Sequence, residues 1–256
     1  MTTARRTLPL SWLFIGLGLL AAVAVPVGLA IQLDEPPEPR GATAQKRRVS
    51  PLPACDYGKQ RTELTSYDDW QRTLLDTRFR LPRSYEPPDL VTTTRVGVGT
   101  DEMTIREIVL EDLDALVSAA DVAGNPVDIT WGYRSFRTQR WVFEYWTEQK
   151  GEEALKTAAR PGHSEHQLGT ALDFKTKGAA NVDAGWRFEP AGQWMHDHAW
   201  EYGFIESYPL GEEKVTCYSA EPWHFRYFGR EVAADIHRSG LTIREYLWRR
   251  LPTSSR

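Results

Sequence analysis

Six histidines occur in the 256 residues, and two of them stand in segments that suit a metal centre. His166 lies in Gly162-His163-Ser164-Glu165-His166-Gln167-Leu168-Gly169, and His224 in Glu221-Pro222-Trp223-His224; Asp173 follows His166 by seven residues. Two imidazoles and one carboxylate leave a fourth tetrahedral position for water, the arrangement of a catalytic rather than a structural zinc site, and no cysteine ligand is needed. Glu221 precedes His224 by three residues, and Pro222 restricts the backbone between them, so a turn here can aim both side chains at one ion. A carboxylate beside a water of lowered pKa is a general base. Each element alone also has a bland reading. An isolated histidine is more often a satisfied structural residue, Glu-x-x-His arises by chance in many chains, and a lone strand carboxylate such as Asp173 is usually solvated or capping.

These groups need elements to hold them. Residues 67–79 carry Trp70, Leu74, Leu75 and Phe79 near helical spacing, before Pro82 and Pro87-Pro88. Residues 104–123 repeat the pattern and end at Gly124-Asn125-Pro126, which predicts a second helix. A strand is predicted over 127–131 and a helix over 135–149, the two meeting at Gly132-Tyr133-Arg134. Residues 169–174 read as a strand on which Ala171 shares the face of Asp173, leaving Leu172 and Phe174 for the core. A helix over 190–202 is capped by Gly203. Strands over 204–208 and 215–218 join through Pro209-Leu210-Gly211, and a helix over 231–249 closes the chain. Helices around a small, mostly antiparallel sheet make the fold α+β.

Arg5 and Arg6 precede an apolar run over residues 8–33 that contains no charge and is long enough to span a bilayer. A retained anchor is expected; a cleaved signal peptide is the alternative, since Ala22-Val23-Ala24 and Gly28-Leu29-Ala30 offer small residues. Either places the remainder outside the cytoplasm. The expected organisation is an anchor over 1–33, a proline-rich linker over 34–53 and one domain over 54–256, with no internal repeat. A net charge of −4 argues against a nucleic-acid partner, and the basic run Lys46-Arg47-Arg48 is read as solvated linker. Cys55 and Cys217 are the only cysteines, and a disulfide between them is expected in an oxidising compartment; two unrelated buried thiols are the alternative.

Ser164-x-His166-x-x-Gly169-x-Ala171-x-Asp173 followed by Glu221-Pro222-Trp223-His224-Phe225-Arg226-Tyr227 resembles the D-alanyl-D-alanine carboxypeptidases of the VanY type, zinc peptidases of the Hedgehog/DD-peptidase fold. The likeness extends to Gly132-Tyr133-Arg134-Ser135 with Gln139, to Tyr202-Gly203-Phe204-Ile205, and to Leu81-Pro82-x-x-Tyr85-x-Pro87. It implies one zinc ion on His166, Asp173 and His224, with Glu221 as catalytic base. Arg134 is implied to engage a substrate carbonyl or terminal carboxylate, to which its fork of donors is suited, or else to form a structural ion pair. Ser135, Gln139 and Ser164 are implied to position the peptide. The implied reaction removes the terminal D-alanine from peptidoglycan stem peptides or their lipid-linked precursor at the outer face of a bacterial membrane. An LD-carboxypeptidase, a wall endopeptidase and a non-catalytic zinc module that binds the wall are the alternatives. Where relatives often carry glycine, this chain has Cys217. His163 is expected as an outer polar residue of the site, and His196 and His198 as surface or packing groups; His237 carries no signal.

Overall fold

The computed structural model describes residues 51–252. The anchor expected over 1–33 and all but the last three residues of the linker lie outside them. Among the described residues no helix is long and apolar enough to cross a membrane.

Two short strand pairs come first. β1 (Gln60–Arg61) runs parallel to β2 (Phe79–Arg80), and β3 (Leu90–Thr92) antiparallel to β4 (Thr104–Arg106). Then follow α1 (Leu110–Val122), β5 (Val127–Trp131), α2 (Phe136–Lys150), α3 (Ala154–Thr157), β6 (Ala171–Thr176) and α4 (Pro190–His198). The chain ends with β7 (Phe204–Glu206), α5 (Glu213–Thr216), β8 (His224–Tyr227), α6 (Arg230–Ser239) and α7 (Ile243–Arg250). Strands β5, β6, β8 and β7 form one antiparallel sheet in that order. Fold and expectation agree on helices around small, mostly antiparallel sheets.

One face of the sheet is apolar. Ile129 of β5, Leu172 and Phe174 of β6, Phe204 of β7 and Phe225 of β8 pack with Leu113 and Leu116 of α1 in a common core. A second cluster seats α6 and α7 on Leu74, Phe79 and Phe228. Burying such side chains contributes roughly 1.5–3 kcal/mol each, which fixes β6 and β8 as the rigid centre of the sheet. Ser135 caps α2 by accepting from Thr138 N, and Gly203 closes the 3-10 turn after α4 at φ 89, where a side chain would also crowd Tyr227.

Four expectations are corrected. Residues 67–79 hold a 3-10 turn (Tyr67–Asp69), then turns and coil until Phe79 enters β2, because their carbonyls have partners far away in sequence: Arg106 Nη1 bonds Tyr67 O, and Arg226 Nη2 bonds Trp70 O and Thr73 O. Those acceptors are therefore taken by guanidinium groups instead of amides one turn on. Residues 104–106 pair as β4, and helix α1 starts only at Leu110. Residues 215–218 are not a strand; Glu213–Thr216 is a short helix, and β7 finds its partner in β8. The last helix is two, broken at Gly240 (φ 62) and restarted by a capping box of Thr242 and Glu245.

Candidate metal centre

The register of the sheet builds the site. Asp173 on β6 pairs directly with His224 on β8, so the two side chains share one face. Their neighbours Leu172 and Phe225 point to the opposite, apolar face. His166 arrives from the 3-10 turn Glu165–Leu168, which Gly169 ends at φ 73, three residues before Leu172. The two imidazoles meet edge to face with centroids 4.7 Å apart.

Ring orientation is set from behind. His166 Nδ1 donates to Gly132 O at 2.7 Å, and Gly132 is needed there because a Cβ would stand 2.4 Å from Thr104 O. Its Nε2 is thereby turned inward, buried without a hydrogen-bond partner, 3.3 Å from Asp173 Oδ1. His224 Nδ1 lies 2.9 Å from the same oxygen, while its Nε2 faces Glu165 Oε2 at 3.1 Å. One ligand atom from each of His166, Asp173 and His224 falls within 4.8 Å of the others. A tetrahedral zinc with bonds of roughly 2.0–2.1 Å holds its ligand atoms roughly 3.3 Å apart, so the two separations to Asp173 and the orphaned His166 nitrogen fit such an ion.

Glu221 is aimed by the turn that Pro222 sets. His224 N donates to Glu221 O at 2.9 Å, closing a four-residue turn with proline in its second position. The carboxylate then lies 3.9 Å from His224 Nδ1. Burial pushes its pKa up to about 7, with His224 pulling the other way. Asp173 is held well below the ordinary carboxylate range; burial opposes this, but His166 and His224 outweigh it. His166 is lowered to about 4, mainly by burial and then by Arg134. His224 is raised to about 10: burial works against its charge, but its hydrogen bonds to Asp173 and Glu165 prevail.

Arg134 leaves β5 through the turn before α2, and its Nη2 stands 3.9 Å from Asp173 Oδ2. That is beyond hydrogen-bond range, and its buried Nε has no partner either, so the fork keeps donors for another molecule. A cleft of about 620 Å³ opens over these groups, lined by Arg134, Gln139, Ser164, Glu221 and, on α2, Trp141 and Tyr145. Gln139 is buried and donates to Ala159 O, leaving Oε1 without a partner.

Ser135 does not reach this cleft among its lining residues; its hydroxyl caps α2 and meets Thr138 Oγ1 at 2.9 Å. His163 also turns away, with Nδ1 donating to Asp76 O at 2.8 Å. His196 pairs with Glu206, His198 with Glu201, and His237 stacks on Trp200. The cysteines are joined, Cys55 to Cys217, with Cα atoms 5.3 Å apart. Two buried groups beside His224 went without a role in the sequence reading, Glu165 and Arg226. Their signal was adjacency: Glu165 precedes His166, and Arg226 lies on the His224 face of the same strand.

The sequence profile of the VanY family, described as D-alanyl-D-alanine carboxypeptidase, matches residues 102–230. The chain is 36% identical over 178 residues to a putative carboxypeptidase, YodJ, of Bacillus subtilis, a match covering 68% of this chain and 65% of that protein, just under two thirds. Among solved structures, it is similar to the LdcB LD-carboxypeptidase, at 35% identity and a TM-score of 0.62, over 68% of this chain and 83% of that one. A mutant VanY D,D-pentapeptidase from a VanB-type vancomycin resistance cassette, in complex with Zn(II), matches at 28% identity and a TM-score of 0.58, over 70% and 99%.

Proposed function

The chain belongs to the VanY family of D-alanyl-D-alanine carboxypeptidases, and with that membership goes the class of a zinc metallo-carboxypeptidase; from this premise we propose that it removes the terminal D-alanine of peptidoglycan stem peptides. The observation that carries the reading is the convergence of His166, Asp173 and His224 within 4.8 Å at the floor of a cleft that also holds Glu221 and Arg134. His166 Nε2, Asp173 Oδ1 and His224 Nδ1 would hold the zinc. Bound there, zinc supplies Lewis acidity and lowers the pKa of a water beside it.

The protein's own groups do the rest. Arg134 offers its free donors to the scissile carbonyl or the terminal carboxylate, where they meet negative charge with little reorganisation. Glu221 takes a proton from the attacking water and returns it to the departing amine; a carboxyl lifted by burial is suited to both transfers near neutral pH. Gln139 and Ser164 line the cleft beside this path and would orient the peptide. The apolar run over residues 8–33 supports a catalytic domain outside the cytoplasm and tethered to the membrane, beside its wall substrate.

A second reading, LD-carboxypeptidase action on tetrapeptides, is favoured by the higher identity and TM-score of the LdcB likeness. Zinc-loaded full-length protein incubated with muramyl pentapeptide and, separately, tetrapeptide distinguishes the two by mass. Loss of one alanine from the pentapeptide is expected. Trimming of the tetrapeptide alone selects the second reading, and cleavage only within the stem refutes both.

A further inference from the structure

Behind His224, on the side away from Asp173, lies a closed polar network. Glu165 is 3% exposed and Arg226 fully buried. Arg226 Nη1 donates to Glu165 Oε1 at 2.8 Å, and Nη2 is committed to the carbonyls of Trp70 and Thr73. Ser207 Oγ donates to Glu165 Oε2 at 2.6 Å, and the same oxygen faces His224 Nε2 at 3.1 Å.

This is more than charge neutralisation needs. One carboxylate oxygen suffices to pair with Arg226. The other is fixed by a hydroxyl and turned onto an imidazole whose second nitrogen points at Asp173. A carboxylate only accepts, so the hydrogen bond to Glu165 requires a proton on the ring nitrogen that faces it. The nitrogen facing Asp173 then has its lone pair available whenever the ring is neutral. Turning the ring over would set carbon against both carboxylates and lose two hydrogen bonds. His166 is treated in the same way from behind by Gly132 O, with the opposite nitrogen presented.

We propose that Glu165 is a positioning residue of the metal centre: clamped by Arg226 and Ser207, it anchors the far nitrogen of His224 and so presents the near one to zinc. This rests on the reading of His166, Asp173 and His224 as the zinc ligands. Replacement by glutamine shows why the acceptor matters. With its oxygen retained by Arg226, the amide turns NH2 toward His224, which can meet it only by moving the ring proton to the nitrogen that zinc requires.

The test uses the full chain and three variants, Glu165→Gln, Ser207→Ala and His224→Ala. Zinc affinity is read by competition with a chromophoric chelator, and folding by circular dichroism. Glu165→Gln is expected to weaken zinc by about 10–100-fold, and Ser207→Ala by less. Ring-nitrogen NMR of the zinc-loaded unaltered protein, assigned by the signal missing from a spectrum of His224→Ala, should show a slowly exchanging, downfield proton on Nε2 of residue 224. A folded Glu165→Gln protein with unchanged zinc affinity overturns the inference, as does an Nε2 without a proton. Should Glu165→Gln not fold, the NMR signal and Ser207→Ala decide. If His224→Ala binds zinc as well as the unaltered chain, the ligand assignment itself has failed; if it loses zinc while Glu165→Gln does not, only the role of Glu165 falls.

Discussion

The Glu221 carboxylate stands 3.9 Å from His224 Nδ1, on the same turn and at the edge of the ligand set instead of inside it. A group so placed can serve the water without being needed to hold the ion. Glu221→Gln keeps the size and removes the proton acceptor, so kcat should fall by about 10²–10⁴-fold with zinc stoichiometry unchanged. Turnover assays paired with metal analysis check this. A variant with near-normal kcat would refute the role of base.

Arg134 has donors to spare, and their value lies in fork geometry as well as charge. Arg134→Lys retains the charge but cannot present two parallel N–H groups. We expect kcat/KM to fall by about 10²–10³-fold while stoichiometric zinc is retained. Steady-state kinetics on the pentapeptide are the measurement, and an unaltered kcat/KM would mean that Arg134 serves Asp173 alone.

How much of this was readable beforehand follows from where the information lies. Helix α2 and strand β5 were legible because their period, cap and breakers are local: Ser135 caps, Gly132 breaks, and Val127 and Ile129 alternate inward. The groups of the site were legible for a similar reason, since Glu221 to His224 is a single turn and His166 to Asp173 a single turn and strand. Strand β8 was not. It lies between β6 and β7 with all four residues buried, so no two-residue alternation marks it, and Arg226 disguises it further. Residues 67–79 had a helical pattern of apolar groups, but the pattern does not reveal that two distant arginines claim the carbonyls. Glu165 was hidden in the same way, its function depending on a ring that arrives 59 residues later.

His163 carries a pH dependence separate from the metal centre. Burial, followed by the nearby Arg160, lowers its pKa to about 4 from an ordinary 6.5. The folded protein thus holds a neutral ring where the unfolded chain would take up a proton. Stability from this source is complete above pH 6.5 and is lost as pH falls toward 4. The full loss is about 3 kcal/mol, from the size of the shift. Urea denaturation at steps between pH 7 and 4 should show a steeper decline for the unaltered chain than for His163→Gln. Parallel curves would show that His163 does not contribute.

The disulfide can be separated from the conformation it imposes. Cys217 has φ 72, in the left-handed region that favours glycine, and it ends helix α5 there. Its bridge to Cys55 spans 162 residues, and removing a bridge over so long a loop should cost about 2–5 kcal/mol. The two segments have another tie: Arg244 donates to Pro53 O, to Val215 O and to Asp76, so the chain ends beside the bridge stay in place when it is cut. Activity should therefore survive reduction although stability falls. In a Cys55→Ala background, Cys217→Gly should then be more stable than Cys217→Ala by about 1 kcal/mol, because only the alanine retains a Cβ at positive φ. Chemical denaturation of the two double variants measures the difference. Equal stability would show that the left-handed turn relaxes once the sulfur bond is gone, and that the bridge, not the helix end, holds residue 217 in that conformation.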